Sequence, residues 1–205
     1  MNDVSPLDFL SQRDFKLANL IQTIGKYSIE KHKDPFESLI KSIIYQQLSG
    51  RSANAIYNRF LNHYDHTIPT PKQIISTPSD TFRTKMGLSF KKTEYLKDLS
   101  LRISNGELNL ILLSSMTDEE IIAELVKVKG IGRWTAEMFL IFHLGRDDVM
   151  PLGDLGIRKA VQSLYGLPQL PSSAQISEIS SSWKPYRSIA AWYLWKSLSN
   201  FDSIG

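Results

Sequence analysis

Apolar residues recur every three or four positions along most of this chain, and that spacing places them on one face of an α-helix. Within 35–48 the face is formed by Phe36, Leu39, Ile40, Ile43 and Ile44. Within 50–63 it is formed by Ala53, Ile56, Tyr57, Phe60 and Leu61. No stretch of useful length alternates apolar and polar residues as a half-buried strand would. The pattern therefore predicts an all-α protein.

Capping residues mark the predicted starts of several helices. Asp34 precedes Pro35, and this pair suits a helix start because aspartate accepts hydrogen bonds from unpaired amides and proline is tolerated at the first helical position. Ser49 predicts the start of the next helix. Thr117 and Glu120 form a capping box.

The second half of the chain continues the helical pattern. We expect the helix after 89 to stop near Gly106, and the helix after 132 to run to about Leu144. A loop over 145–153 leads to a helix that Asp154 begins. The apolar stretch 181–199 predicts a closing amphipathic helix.

Composition narrows the chemistry. The 205 residues carry a net charge of +3 with an isoelectric point near 9.0, which permits nucleic-acid binding without demonstrating it. The absence of cysteine excludes disulfides, thiol catalysis and cysteine-ligated zinc or iron–sulfur sites. The four histidines do not form a plausible metal cluster. We see no secretion signal and no stretch long enough to span a bilayer, and we expect a reducing cytosol or nucleoid.

The segment "VKGIGRWTAEMF" (128–139) joins two predicted helices through a glycine-rich turn. Gly130 and Gly132 suit a tight turn whose amides point outward at the start of the second helix, where an anion is favoured. Lys127, Lys129 and Arg133 surround the turn with positive charge. A DNA phosphate is a natural ligand for such a turn. An ordinary αα-turn with capping glycines explains the glycines equally well.

Asp154, at the end of the following loop, is the candidate functional carboxylate. Aspartate is a preferred capping residue, so helix capping alone can explain it. A fixed carboxylate in a water-poor site could also stabilise a developing cation or orient a water molecule. Asp147 and Asp148 lie in a more polar part of the loop, where we expect them to be solvated.

Four motifs together resemble the DNA-3-methyladenine glycosylase II branch of the helix–hairpin–helix DNA glycosylases. They are "IIYQQLS", "VKGIGRWTAEMFLIF", "DLGIRKA" and "WKPYRSIAAWYLW", and the resemblance covers roughly 35–199. It implies the all-α glycosylase fold, with two closely packed lobes and the active site in the cleft between them. We expect a single unit, 1–205, with approximate lobes 35–135 and 1–34 plus 136–205.

The resemblance implies a monofunctional glycosylase of base excision repair. Such an enzyme hydrolyses the N-glycosidic bond of alkylated purines, for example 3-methyladenine and 7-methylguanine, flipped out of duplex DNA, and leaves an abasic site. Asp154 would be the catalytic carboxylate, Trp134 and Trp195 the walls of the base pocket, and Gln47 the side chain that fills the gap in the stack. Trp134 occupies the position at which strand-cutting relatives carry a nucleophilic lysine.

The resemblance also implies the contacts with the DNA backbone. The expected phosphate-binding residues are Gly87, Ser89, Lys127, Gly130, Gly132, Arg133 and Thr135. The main-chain carbonyls of Val126, Val128 and Ile131 would hold a monovalent cation, Na⁺ or K⁺, that bridges to phosphate. We expect no other cofactor, a monomer, and double-stranded DNA with alkylated bases as the partner. The compartment would be the cytoplasm and nucleoid of a bacterium or archaeon, or the nucleus of a eukaryote.

Two other functions remain open on the sequence. Helix–hairpin–helix units also occur in proteins that bind DNA without catalysis, and such a protein would need no role for Asp154. A glycosylase of another base specificity is the second alternative. Gln46 and Gln47 could equally form a polar surface patch, and the Gly87–Ser89 segment could be a simple helix start.

Overall fold

The structure is a computed structural model that describes residues 4–29 and 34–198. Within these residues no β-strand occurs, so the all-α prediction is confirmed. The α-helices are α1 (Pro6–Arg13), α2 (Phe15–Ile24), α3 (Pro35–Tyr45), α4 (Gly50–His63), α5 (Pro71–Ser76), α6 (Ser79–Thr81), α7 (Phe90–Ser104), α8 (Asp118–Leu125), α9 (Arg133–Met138), α10 (Leu155–Tyr165), α11 (Ser173–Ile179) and α12 (Arg187–Lys196). Two π-helical turns, Phe82–Met86 and Phe139–Leu144, and two 3₁₀ turns, Leu112–Ser115 and Ser180–Trp183, complete the described elements.

The predicted helix starts are confirmed by their capping hydrogen bonds. Asp34 accepts the Glu37 amide at 2.9 Å at the start of α3, and Ser49 caps α4. Thr117 and Glu120 form the reciprocal capping box of α8. These ends are correct because each cap depends on residues three positions apart and on little else.

One compact unit, which we call unit 2, comprises His32–Phe139. Its longest helix, α7, packs against α3 and α5, while α8 packs against α9. The core of this unit includes Leu39, Ile43, Phe60 and Leu96, each with no exposed surface. Helix α7 therefore supports the turns of this unit.

The second compact unit, unit 1, comprises Met1–Lys31 and Leu140–Gly205. Helix α12 packs against α2 and α10, and every residue from Ser188 to Trp195 is buried. The predicted amphipathic helix over 181–199 is therefore wrong in two respects. The helix begins only at Arg187, after the 3₁₀ turn and Pro185, and neighbours cover it on all sides. A helix covered all round carries no polar face to reveal its orientation in the sequence.

Asp14 ties three elements of unit 1 together. Its Oδ1 accepts the amides of Lys16 and Leu17 at the start of α2, while its Oδ2 accepts the Trp183 indole N–H at 3.0 Å and the Tyr165 hydroxyl. Burial raises the pKa of Asp14, but the hydrogen bonds, that from Tyr165 foremost, bring it below its ordinary value. The carboxylate is thus a structural anchor.

Among the described residues, no helix is both long and apolar enough to cross a bilayer.

Candidate active site and nucleic-acid interface

The two glycines of the hairpin between α8 and α9 play different structural roles. Gly130 has φ +80°, and a Cβ there would lie 2.1 Å from Cδ2 of Tyr95, so both conformation and space require glycine. Gly132 has φ −97° and ψ 175°, which any residue adopts, and nothing lies within 4 Å of an added Cβ. The backbone conformation of the turn therefore requires glycine at 130 but not at 132, where close approach of a ligand remains the predicted reason for glycine. Because the backbone does not require glycine at 132, a substitution there tests ligand approach with little effect on the turn beyond a change of the α9 cap.

The hairpin rests on α7 through contacts that the sequence did not reveal. The ring of Tyr95 lies against Gly130, and Oδ2 of Asp98 accepts the Lys129 amide at 2.9 Å. Asp98 also accepts Nε of Arg102 at 3.0 Å. The turn is therefore held in place by its support before any ligand binds.

Both lysines predicted to face phosphate are paired with carboxylates. Nζ of Lys127 lies 2.6 Å from Oε1 of Glu124, and Nζ of Lys129 lies 2.6 Å from Oε1 of Glu94. The hydrogen bond that Lys129 donates to Glu94 raises the pKa of Lys129 above its ordinary value. These exposed pairs are weak and readily exchanged in water, so a phosphate can replace the carboxylate.

Arg133 is held more firmly, by two acidic residues. Its terminal nitrogens bind both carboxylate oxygens of Glu119 at 2.6 and 3.1 Å, and its Nε donates to Glu137 at 3.1 Å. The hydrogen bond from Arg133 lowers the pKa of Glu119, and the same bond raises the pKa of Arg133. The guanidinium must therefore leave Glu119 to bind a phosphate.

We expect Glu119→Gln to strengthen binding to duplex DNA, because the substitution releases the terminal nitrogens of Arg133. The slope of log affinity against log salt should steepen by about −0.9, the contribution of one further neutralised phosphate. Fluorescence anisotropy over a salt series measures both quantities. Glu178→Gln is the matched control, since it removes the same charge from an exposed position of α11. Equal behaviour of the two variants would show an effect of net charge alone.

The carbonyls predicted to hold a monovalent cation lie at the end of α8 and in the hairpin. The Val128 carbonyl accepts the Ile131 amide at 3.1 Å and keeps a second lone pair. Main-chain carbonyls are suitable ligands for Na⁺ or K⁺, so Val126, Val128 and Ile131 fit the implied ion in donor type. Among the described residues, no group of three or more acidic or histidine side chains could hold a metal.

The turn between α3 and α4 contains both glutamines. Gln47 is exposed and has φ +58°, a region that residues with a Cβ rarely enter. Nε2 of Gln46 donates to the Gly130 carbonyl at 2.8 Å, and Nζ of Lys92 donates to the Ile44 carbonyl at 2.7 Å. Burial lowers the pKa of Lys92. Turn and hairpin are therefore bonded directly to each other.

The third predicted DNA-contacting segment immediately precedes α7. Gly87 has φ +82°, and an added Cβ would lie 2.7 Å from Nη2 of Arg59. Ser89 caps α7 by accepting the Lys92 amide at 3.3 Å. Helix α7 thus begins at this segment and supports the other two turns farther along its length.

Asp154 in unit 1 is a buried carboxylate with an ordered hydrogen-bond environment. It is 7% exposed and caps α10, with Oδ1 accepting the Ile157 amide at 2.7 Å and the Trp195 indole N–H at 3.0 Å. A Cβ on Gly156 would lie 3.0 Å from this oxygen and 3.2 Å from Cδ1 of Trp195. Gly156 is therefore a residue of the site that sequence reasoning missed. A glycine in the first turn of a helix was the available signal, because glycine disfavours helices.

The loop that leads to Asp154 is anchored to the start of α12. Arg187 binds both carboxylate oxygens of Asp148, at 2.7 and 3.0 Å. The Ser188 hydroxyl accepts a hydrogen bond from the Val149 amide at 2.9 Å. The main-chain amide of Ser188 donates to the Asp147 carbonyl at 2.9 Å. The expectation that Asp148 is solvated holds only in part, because its side chain is 33% exposed and forms an ion pair with Arg187, 39 positions away.

The remaining predicted side chains differ in accessibility. Trp134, in unit 2, is 43% exposed on the first turn of α9, whereas Thr135 beside it is 5% exposed. Trp195, in unit 1, has no exposed surface and stacks on Phe142 with ring centroids 5.8 Å apart. In this structure Trp195 therefore supports Asp154, and the side chain of Trp134 is partly accessible to solvent.

One known class of DNA repair proteins has a buried carboxylate at the start of one helix and a glycine-containing hairpin at the start of another helix. The family model described as HhH-GPD superfamily base excision DNA repair protein matches residues 40–185. This range includes the turn of Gln46 and Gln47, the hairpin and Asp154. The chain belongs to this superfamily.

Named relatives narrow the class further. DNA-3-methyladenine glycosylase 1 of Schizosaccharomyces pombe is 39% identical over 193 residues, covering 91% of this chain and 84% of the relative. A structure of the 3-methyladenine DNA glycosylase of that organism in complex with abasic DNA matches with a TM-score of 0.84 and 37% identity, covering 95% of this chain and 98% of the other. The DNA-3-methyladenine glycosidase of Bacillus halodurans matches with a TM-score of 0.85 and 32% identity, covering 98% and 92%.

Proposed function

We propose that this protein is a DNA glycosylase of base excision repair that hydrolyses the N-glycosidic bond of alkylated purines in duplex DNA. The observation that carries the proposal is the buried carboxylate of Asp154, held by the Ile157 amide and the Trp195 indole. The protein acts as a monomer wherever the genome lies, in the cytoplasm of a bacterium or archaeon or in the nucleus of a eukaryote.

Asp154 supplies the charge that the reaction needs. As the glycosidic bond breaks, the sugar becomes positively charged, and a preorganised carboxylate stabilises that charge most strongly where water is scarce. The same group orients or deprotonates the attacking water. Both described hydrogen bonds to Oδ1 hold the carboxylate in one orientation. The products are a free base and an abasic site.

Trp134 is the candidate for recognising the base. Alkylated purines such as 3-methyladenine and 7-methylguanine carry positive charge, and an indole face attracts a cation by about 0.5–2 kcal/mol. The indole of Trp134, which is 43% exposed, is a candidate for such a surface. This attraction depends on charge more than on shape, so we propose a broad range of alkylated purines as substrates.

Three turns of unit 2 engage the DNA in this proposal. The hairpin amides at Gly130 and Gly132 bind a phosphate, with the monovalent cation at the Val126, Val128 and Ile131 carbonyls as a bridge. The segment around Gly87 and Ser89 binds a second phosphate. Gln47 fills the space that the flipped nucleotide leaves in the stack, as glycosylases require.

Release of methylated bases from DNA tests the proposal. A duplex treated with a methylating agent is incubated with the protein, and the free bases are separated by chromatography. We expect 3-methyladenine and 7-methylguanine in the soluble fraction. Salt-sensitive binding without base release would instead identify a non-catalytic helix–hairpin–helix protein.

The reaction should stop at the abasic site. A strand-cutting enzyme needs an amine nucleophile that forms a Schiff base, and Trp134 stands where relatives carry it. Incubation with a methylated duplex and borohydride, followed by a denaturing gel, should show an intact strand that breaks only after alkali. A trapped protein–DNA adduct would contradict this prediction, and Lys127 and Lys129 would then be the first residues to replace.

A further inference from the structure

We propose that Gln46 and Lys92 are positioning residues, which hold the turn between α3 and α4 in the backbone form that presents Gln47 to DNA. The inference rests on the proposed function and deepens its DNA-engagement step. It concerns side chains that do not themselves enter the duplex. Their effect passes through the conformation of a single peptide unit, the one between Gln46 and Gln47.

The turn has a backbone form that its sequence disfavours. The Leu48 amide donates to the Tyr45 carbonyl at 3.3 Å, which closes a four-residue β-turn with Gln46 and Gln47 at its centre. Gln46 has φ −51° and ψ 130°, and Gln47 has φ +58°, so the turn is of type II. Type II turns favour glycine or asparagine at the second central position. A glutamine there must be held by its surroundings.

Gln46 provides one of the two restraints. Its Nε2 donates to the Gly130 carbonyl at 2.8 Å, across 84 positions of sequence. Gly130 is itself immobilised, because Tyr95 lies against it and the neighbouring amide of Lys129 is bound by Asp98. The side chain of Gln46 is thus bound to an immobile carbonyl. We infer that this bond also restricts the orientation of the Gln46 peptide group.

Lys92 provides the other restraint. Its Nζ donates to the carbonyl of Ile44, the residue just before the turn, at 2.7 Å. This carbonyl lies in the last turn of α3, where helices leave acceptors without an internal partner. Lys92 therefore fixes the point at which the chain leaves the helix, while Gln46 fixes the point that follows.

Without these restraints the central peptide can flip to a type I turn, in which all central residues have negative φ. The flip changes the backbone angles at Gln47 and so redirects its side chain. A duplex would then meet a disordered set of Gln47 orientations, and ordering them would weaken insertion. The alternative is that these residues serve stability alone, and the experiment separates the two roles.

The measurement follows insertion directly, in a duplex that contains an abasic-site analogue beside the fluorescent base 2-aminopurine. Insertion of Gln47 changes the stacking of that base and hence its emission. At saturating protein, Gln46→Ala and Lys92→Met should reduce the emission change by about threefold or more, as a shift of the turn away from its competent form requires. Lys92→Arg, which keeps a cationic donor, should restore it. Gln22→Ala, on the exposed face of α2, is the control.

A double-mutant cycle on the single-turnover excision rate identifies the route of the effect. If Gln46 acts through Gln47, adding Gln46→Ala to Gln47→Ala should cause no further loss, because nothing remains to position. Thermal unfolding of each variant accompanies the cycle. Additive losses, or a lower melting temperature with unchanged emission, would overturn the inference. A parent protein that inserts Gln47 but releases no base would overturn the proposed function and leave the inference standing.

Discussion

Asp154→Asn should lower the rate of base excision by about 10²-fold or more while the fold and the affinity for DNA stay unchanged. Both described hydrogen bonds to the side chain end on Oδ1, and an asparagine carbonyl can accept both of them, although more weakly than a carboxylate. Asparagine is also a good helix cap, so α10 should keep its start. The substitution thus removes the negative charge while keeping an acceptor for both described hydrogen bonds. Single-turnover kinetics, thermal unfolding and duplex binding measure the three quantities.

Asp154→Ala is the companion variant. It should lose the excision rate to a similar degree and, in addition, about 0.5–2 kcal/mol of stability, because the cap of α10 disappears. The comparison separates the charge from the cap. An asparagine variant that turned over at close to the parent rate would end the catalytic assignment of Asp154.

The second large effect is expected at the hairpin, where the two glycines should fail in opposite ways. Gly132→Val should cost little stability beyond the weaker N-cap that valine gives α9, because the backbone there is extended and an added Cβ meets open space. It should weaken duplex binding by about 10- to 100-fold, the loss of one hydrogen bond to a charged group of about 1.5–3 kcal/mol. Anisotropy titrations measure the affinity, and urea unfolding measures the stability.

Gly130→Ala is the counterpart. A residue with a Cβ in this left-handed conformation costs about 1–2 kcal/mol, and the overlap with the ring of Tyr95 adds to it. We expect a marked fall in the free energy of unfolding. Should Gly132→Val bind DNA like the parent, the hairpin would serve only as a turn between two helices.

Local features of this fold were predictable from the sequence. Asp34, Ser49 and Thr117 were each identified as helix caps, and each accepts an amide two or three positions ahead. Asp154 was identified as a cap in the same way, and its hydrogen bond to Ile157 confirms that part of the prediction. Such signals depend on a few neighbouring residues, so distant packing does not alter them.

Features that depend on distant residues were not predictable. Glu119 lies 14 positions from Arg133 and forms an ion pair with it. The sequence had suggested that Arg133 would be available to bind phosphate. Arg187 lies 39 positions from Asp148 and holds that carboxylate in an ion pair. Only the folded chain brings these charges together. The roles of Trp134, Trp195 and Gln47 in DNA binding remain predictions.

The contacts between α12 and the loop of Asp154 determine when this candidate catalytic group becomes ordered. Ser188 binds the loop near one end of the helix and Trp195 binds Asp154 near the other, about 10 Å apart at a rise of about 1.5 Å per residue. Displacing the carboxylate therefore means bending a buried helix or opening the core around it. The free energy needed to displace Asp154 is therefore the free energy of opening that core, and not the free energy of opening a surface loop. The entropy lost in ordering it is thus lost when the chain folds, before any nucleotide arrives.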